Sequence, residues 1–439
     1  MASGRRLLFR NIFSVGIIQI ANYFFPLITI PIVSRIIGPD KFGTINFSAS
    51  FIAYFTLLIG FGFDITATRK VAVDPGNEQN RNRVFSSVFI SQIILLTISV
   101  VLFSICLLNI PQLKAEKQVA IFTFITCLAT VLTQNWLFQA MQDLHKIAIL
   151  SLIGKVLFTA VILLTIHSRE DYYWQPLALS VSQVVVALCS FIWSVKKYKL
   201  KLLKTSVRDC LSLLWQEKVF FLSLCVISIY TNTNIVVLGV LHNSENVGFY
   251  TAGQKLILIM QMVITVPLTQ AIYPYIGKAF GDDYNKGIDM VQRMLPAVFG
   301  FTFLAGLVIF FGAPLFISFF YGSAFQPAVT VCRILAFVPM IIALGTVMGI
   351  HVMLNLKMDK VFLKVTCIGA ITGVVLNLLL VNLLGYIGAA ITWTVTEFLN
   401  LCMLTFLLRK HGIQIFNREY FKLKQCIAYF LKPRSKQIG

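Results

Sequence analysis

The sequence predicts an all-α membrane protein of about twelve transmembrane helices in two six-helix lobes, on its apolar load, the spacing of its apolar runs and the side on which its cations fall. Of its 439 residues 58% are hydrophobic, and the mean hydropathy is +0.83. A soluble chain carries about 45–50% apolar residues, so no soluble core hides this much apolar surface. The hydrocarbon layer is roughly 30 Å thick and a helix rises about 1.5 Å per residue, so runs of about twenty apolar residues are spans. The net charge of +20 is unevenly placed. With the N-terminus inside, about 28 of the 37 Lys and Arg fall in alternate loops and tails on the cytoplasmic side, and about four fall opposite. Basicity therefore reports topology and attraction to anionic lipid, and no nucleic acid is expected.

The chain opens on "MASGRRLLFR" and then stays apolar to Ile37. That run is too long for a signal peptide and no small-residue cleavage site follows it, so it reads as an uncleaved first helix. The first-half spans are 12–36, 44–68, 84–108, 118–140, 147–167 and 177–195, with Tyr172, Tyr173 and Trp174 as an aromatic belt at an outer end. The longest connection, "KKYKLKLLKTSVRDCLSLLWQEK", sets seven Lys/Arg against Asp209 and Glu217. The second-half spans are 219–241, 248–275, 292–320, 328–354, 362–382 and 387–408. The domains are then a lobe at 1–195, a basic cytoplasmic linker at 196–218, a lobe at 219–408 and a basic cytoplasmic tail at 409–439. Linker and tail both mix apolar with basic residues, which suits a helix lying on the inner leaflet or an ordinary solvated segment.

The halves repeat a layout. A short outer turn follows the first span of each, "IGPDKFG" and "HNSENVG", ending on Gly43 and Gly248. Polar inner loops follow the second spans, "DPGNEQNRNR" and "GKAFGDDYNKG", and inner turns with lysine come later, "MQDLHK" and "NLKMDK". An even number of spans per half gives both the same orientation, hence a pseudo-two-fold along the membrane normal with a site between the lobes. Pro26, Pro31, Gly60, Gly62, Pro267 and Pro274 are the candidate hinges.

The informative residues are charges inside or at the ends of spans: Arg35, Asp64, Arg69, Lys70, Lys155, Lys255, Arg333, Lys364 and Glu397. Each costs roughly 2.5–3.5 kcal/mol at a helix centre, so they should face one another or water. Seven are basic and two acidic, so a cavity they line prefers an anion. Arg35, Arg69, Lys70 and Lys364 lie near span ends, where snorkelling to headgroups competes with a cavity role. Lys155, Lys255 and Arg333 lie deeper and are the stronger candidates. Asp64 sits near Arg69 and Lys70, so a local ion pair competes with ion coupling there. Glu397, mid-span in "ITWTVTEFLNL", is the better proton or sodium candidate. Asn22, Asn232, Asn234, Gln254, Asn377 and Asn400 suit interhelical hydrogen bonds or sugar hydroxyls.

Nine cysteines show no CxxC or Cys/His clustering, so neither disulfides nor metal are expected. There is no GxxxxGK[ST], HExxH or GxSxG motif and no soluble segment large enough for a nucleotide. No cofactor and no catalytic residue are expected.

Several segments, in order along nearly the whole chain, resemble the O-antigen translocases, Wzx-type oligosaccharide-lipid flippases of the superfamily that includes the multidrug exporters. The most specific are "NYFFPLITIPIVSRIIGPDKFG" and "GFGFDITATRKVA". "WLFQAMQDLHKIAI" is similar to the family's fourth inner turn, with Ala140 where glycine is expected. "VGFYTAGQKLI", "GSAFQPAVTVCRILAFVPMI" and "GYIGAAITWTVTEFL" extend the match. The resemblance implies an inner-membrane flippase that moves a sugar repeat unit on undecaprenyl pyrophosphate from the cytoplasmic to the periplasmic leaflet through a central cationic cavity. It favours Arg35, Arg69, Lys70 and Lys255, which lie in matching segments, as cavity residues. The partners expected are the lipid-linked oligosaccharide, membrane lipids, a polysaccharide polymerase with its chain-length regulator, and a coupling proton or sodium ion. Two other readings use the same spans. A drug exporter normally prefers an acidic cavity, which the cations oppose, and a membrane glycosyltransferase or polymerase needs a larger outer domain than loops of about ten residues provide.

Overall fold

The computed structural model describes the backbone of residues 2–421 and the side chains of 25–420 apart from 230, 264–271, 273 and 418. Most of the tail expected at 409–439, and the side chain of Asn22, lie outside the described residues. Every regular element described is helical: α1 Ala2–Gly60, α2 Phe63–Ala72, α3 Glu78–Asn109, α4 Pro111–Ala115, α5 Lys117–Phe124, α6 Thr126–Leu132, α7 Asn135–Ala140, α8 Leu144–Thr165 and α9 Trp174–Lys197, then α10 Val207–Leu241, α11 Ser244–Met260, α12 Val266–Asp282, α13 Tyr284–Tyr321, α14 Ala328–Leu335, α15 Val338–Thr346 and α16 Asp359–Lys410. Among the described residues nine helices are long and apolar enough to cross a membrane.

Local chemistry sets the breaks. Gly38 (φ 75°) interrupts α1 and Gly385 (φ 56°) interrupts α16, each at a turn where left-handed backbone lets the chain reverse. Pro39 then begins the next helical stretch, a position where its missing N–H costs nothing. Of the candidate hinges, Gly62 (φ 80°) lies at a real break between α1 and α2, whereas Pro26 and Pro31 sit inside continuous helix. Two π-helical stretches, Gln261–Thr265 and Val347–Met353, interrupt the helical runs of the second half. The helix expected from 219 starts earlier, at Val207. There Asp209 Oδ2 accepts from Ser206 N (3.2 Å) and Ser206 Oγ accepts from Arg208 N (3.3 Å). At 35 residues α10 is about 50 Å long, well over the hydrocarbon thickness.

The chain forms two compact units, Met1–Gly248 with Phe319–Phe325, and Phe249–Ser318 with Gln326–Gly439. In the first, the two turns that the sequence reads as outer meet through their glycines. A Cβ on Gly43 would lie 1.7 Å from Ser244 O, and one on Gly248 would lie 2.0 Å from Pro39 O. Phe42 fills the space behind them, edge-on to Tyr321 and Phe325 with ring centroids at 5.7 and 5.6 Å. Lys41–Glu116 (2.9 Å) and Arg169–Asp40 (2.6 Å) form ion pairs at the rim.

At the opposite end of the same unit, which the sequence reads as inner, the contact is polar. The Asp143 carboxylate takes Lys197 Nζ, Tyr198 OH (3.1 Å) and His145 Nδ1 (2.8 Å). Arg81, itself buried, donates to Pro75 O at 2.9 Å and to Tyr198 O at 3.0 Å. Burial alone would raise the Asp143 carboxyl, but the hydrogen bond and charge of Lys197, with Tyr198 and His145, hold it below the ordinary carboxylate range. Burial, then the Asp143 charge, pushes the Tyr198 phenol up, so it stays a donor.

The second unit has its own apolar core, in which Ile276, Val291, Leu295, Met348 and Leu408 are buried together. Within it a Cβ on Gly369 would fall 2.0 Å from Asn400 Oδ1, which makes Asn400 a close interhelical contact.

Candidate functional site

The first unit holds a partly open cavity of about 770 Å³ among its apolar helices, lined by α1, α2, α3, the broken span α5–α7, α8 and α9. Two of the nine candidate charges line it, Asp64 from the first turn of α2 and Lys155 from the middle of α8. Their placement has local causes. The left-handed Gly62 starts α2, and Thr68 Oγ1 donates to Trp136 O (3.0 Å), tying α2 to α7. Gly154 lets α8 approach α9, since a Cβ there would lie 2.9 Å from Val186 Cγ2.

The α5–α7 span is discontinuous, with breaks at Ile125 and at Thr133–Gln134. Irregular backbone at membrane depth is tolerated where it lines a wet cavity or is covered by protein, and such breaks mark binding sites in transporters. Thr123, Thr126, Thr130 and Thr133 line the cavity from this span. Each hydroxyl donates to a carbonyl of its own segment at 2.7–3.3 Å, leaving its oxygen free to accept. Gln92, 4% exposed, brings a carbonyl Oε1 with no hydrogen-bond partner among the described residues. Gln183, Ser151 and Asn135 add further polar groups. A chamber with one ammonium, one carboxylate and many hydroxyl and amide groups suits a hydroxyl-rich ligand that carries charge.

The remaining candidates lie elsewhere. The Arg35 guanidinium donates to Phe319 O at the outer end of α13 and packs beside Gly322. Lys70 pairs with Glu217 at 2.7 Å, so the local pair expected between Asp64 and Arg69 or Lys70 is absent among the described residues. Their spacings of five and six residues put them on different helix faces. Arg69 is exposed at the inner end of α2. Arg333 is exposed, its Nε 3.3 Å from Phe310 O and its guanidinium 5.7 Å from the Phe310 ring centre. Lys255 is half-buried on α11 before the π-helical Gln261–Thr265. Glu397 accepts from Trp393 Nε1 at 3.3 Å within α16. Of the seven basic candidates, Lys155 alone lines this cavity.

The threonines and Gln92 went unremarked in the sequence. Residues 123, 126, 130 and 133 recur at the three-and-four spacing of one helical face, a signal that could have found them.

A family model described as polysaccharide biosynthesis protein matches residues 8–280. The "Putative O-antigen transporter" of Escherichia coli (strain K12) is 25% identical over 409 residues, covering 93% of this chain and 97% of that protein. The protein of the same name from Shigella dysenteriae is 23% identical over 398 residues, covering 89% and 97%. Among solved structures, lipid II flippase MurJ in an inward closed conformation superposes with a TM-score of 0.73 at 15% identity, covering 94% of this chain and 90% of that one. An inward-facing multidrug resistance transporter of the MATE family, MOP superfamily, gives 0.70 at 14% identity, covering 91% and 98%.

Proposed function

We propose, because this chain belongs to the polysaccharide biosynthesis protein family, that it carries a sugar repeat unit on undecaprenyl pyrophosphate from the cytoplasmic to the periplasmic leaflet. It is a transporter rather than an enzyme, a multi-pass protein of the bacterial inner membrane. The observation that carries the reading is the cavity built on a broken helix, with Lys155 and Asp64 among hydroxyl and amide side chains. Lys155 attracts the anionic headgroup, and the threonines, Gln92 and Gln183 exchange hydrogen bonds with sugar hydroxyls in place of water. The prenyl chain stays in lipid throughout.

The direction follows from electrostatics. The bacterial interior is negative, so each unit of negative charge moving outward gains roughly 2.3 kcal/mol per 100 mV. The protein has only to lower the barrier with a wet, charged route. Twelve crossings, with both termini cytoplasmic, follow if the helices broken at Gly38 and Gly385 each cross twice and α11–α12 crosses once through its π-helical stretch. Lobes at 1–195 and 219–408 related by a pseudo-two-fold would then alternate access to a central cationic route that adds Arg35, Arg69, Lys70, Lys255 and Arg333. Asp64 and Glu397 remain the groups to which a proton or sodium ion would couple, and a polymerase with its chain-length regulator would receive the product.

The test is complementation of a strain lacking the chromosomal copy. Lys155→Ala should abolish surface polysaccharide while membrane levels stay normal, and Lys155→Arg should restore part of it. Wild-type polysaccharide from Lys155→Ala would remove the cavity from the transport route.

A further inference from the structure

At the inner end of the first unit a second cavity, of about 480 Å³, lies between α2, the first turns of α3, the linker 198–206 and the start of α10. Three cations from three elements line it: Lys70, Arg83 and Lys204. Lys70 is neutralised by Glu217 at 2.7 Å. Arg83 and Lys204 are exposed, and neither has an acidic partner within 4.0 Å among the described residues. Asp209 also lines the cavity, its Oδ2 held on Ser206 N at 3.2 Å. Thr205 and Ser212 bring hydroxyls. The balance is one net positive charge among hydroxyl donors, which matches a phosphate ester.

The second observation concerns α10. It turns Asp209, Ser212, Leu213 and Gln216 to the cavity. The neighbouring face carries Leu211, Trp215, Val219 and Leu222, which are 57, 70, 68 and 58% exposed. Spaced by four, four and three, they form one apolar row that begins at the level of the cavity and runs outward along the helix. Lys218 Nζ lies 3.2 Å from the Trp215 ring centre, a basic and aromatic pair of the kind that sits at the headgroup boundary. A soluble anion would use the cations and ignore the row. A lipid uses both, in the right order, headgroup first and chain outward.

We propose that this cavity binds the phosphate headgroup of an inner-leaflet lipid, with the acyl or prenyl chain lying along the Leu211–Leu222 row. The site shares no lining residue with the larger cavity on which the transport reading rests. A lipid held here joins the inner ends of α2, α3 and α10.

Full-length protein in phosphatidylcholine nanodiscs would be loaded separately with phosphatidylglycerol, undecaprenyl diphosphate or inorganic pyrophosphate, and retention read by native mass spectrometry. Wild type should retain at least one of the two anionic lipids. Arg83→Gln with Lys204→Gln should cut that retention roughly tenfold or more. Lys199→Gln with Lys201→Gln, which removes equal charge from the linker outside the cavity, should retain lipid as wild type does. Preference for phosphatidylglycerol would make the occupant a bound phospholipid, and preference for undecaprenyl diphosphate would make it a cargo-type lipid. Both support the site. Equal loss in the two double variants, unchanged retention in the first, or pyrophosphate held as firmly as either lipid would overturn it. No arm reads transport, so failure here leaves the transport reading standing, and the reverse also holds.

Discussion

The two ends of the first unit are closed by different physics: at the outer end two turns meet where glycine leaves room for backbone to touch backbone, and at the inner end loops meet on one carboxylate. The outer contact places Gly43 against Ser244 O and Gly248 against Pro39 O, with Phe42 packed behind. The inner contact places Lys197, Tyr198 and His145 on Asp143, with Arg81 holding the Tyr198 carbonyl. A shape contact has no titrating group and no screening, and responds to side-chain volume. A charge contact tolerates volume and responds to protons. The unit can therefore be loosened at either end by a different perturbation.

The largest effect should come from the outer end. A Cβ at position 43 would sit 1.7 Å from a backbone oxygen, so no rotamer relieves it and the turns must part. Gly43→Ala and Gly43→Val should both cost about 3 kcal/mol, the upper end of the range for overpacked contacts. The two should differ little, because the first added atom makes the clash. Thermal unfolding of purified protein reads this, and a Gly43→Ala variant that melts with wild type would remove the shape contact.

Next comes Asp143→Ala, which strips the acceptor from a buried phenol and from the Lys197 ammonium together. Leaving a buried donor unmet costs about 1–3 kcal/mol. The Lys197 share is discounted, since its side chain is 40% exposed and water can replace the pair. Asp143→Asn, which keeps an acceptor for Tyr198, should lose less. Equal losses would mean that the charge carries the contact and Tyr198 adds nothing.

The contrast also marks what the sequence could tell. The apolar spans were legible because hydrocarbon thickness fixes their length, and Gly43 and Gly248 were legible as the ends of matching turns. That the two glycines meet is a tertiary fact between residues far apart in the chain. Asp143 lay in the inner turn "MQDLHK" with nothing to distinguish it, because its partners Lys197 and Tyr198 lie beyond two further spans. Charge within the apolar spans was legible by type but not by partner. Arg35 and Arg333 turn to helix carbonyls, and Lys70 finds Glu217, choices set by rotamer and packing. That Lys155 and Asp64 line one cavity depends on the close α8–α9 approach at Gly154 and the break at Gly62.

Acid should separate the two ends. The Asp143 carboxyl is held below its ordinary value, so its contribution is fully present above the unfolded pKa near 4. It fades as pH falls from there through the lower native value. Between pH 7 and 5 the gap in melting temperature between wild type and Asp143→Asn should stay constant, then close below about pH 4. The gap between wild type and Gly43→Ala should not narrow over the same range. Closure of the Asp143 gap already above pH 5 would break the assignment to this carboxyl.

The smallest effect should come from the charges that decorate the shape-closed end. Lys41 pairs with Glu116 at 2.9 Å and lies 4.3 Å from the Tyr172 ring centre, with both charged side chains partly open to solvent. Removing it leaves Glu116 with the Tyr172 hydroxyl at 2.6 Å, so no acceptor is stranded. Lys41→Met should cost under about 1 kcal/mol, and less as salt is raised. A loss as large as that of Gly43→Ala would mean that the outer end too is held by charge, since the glycine contact survives in Lys41→Met and would then be too weak to keep the turns together.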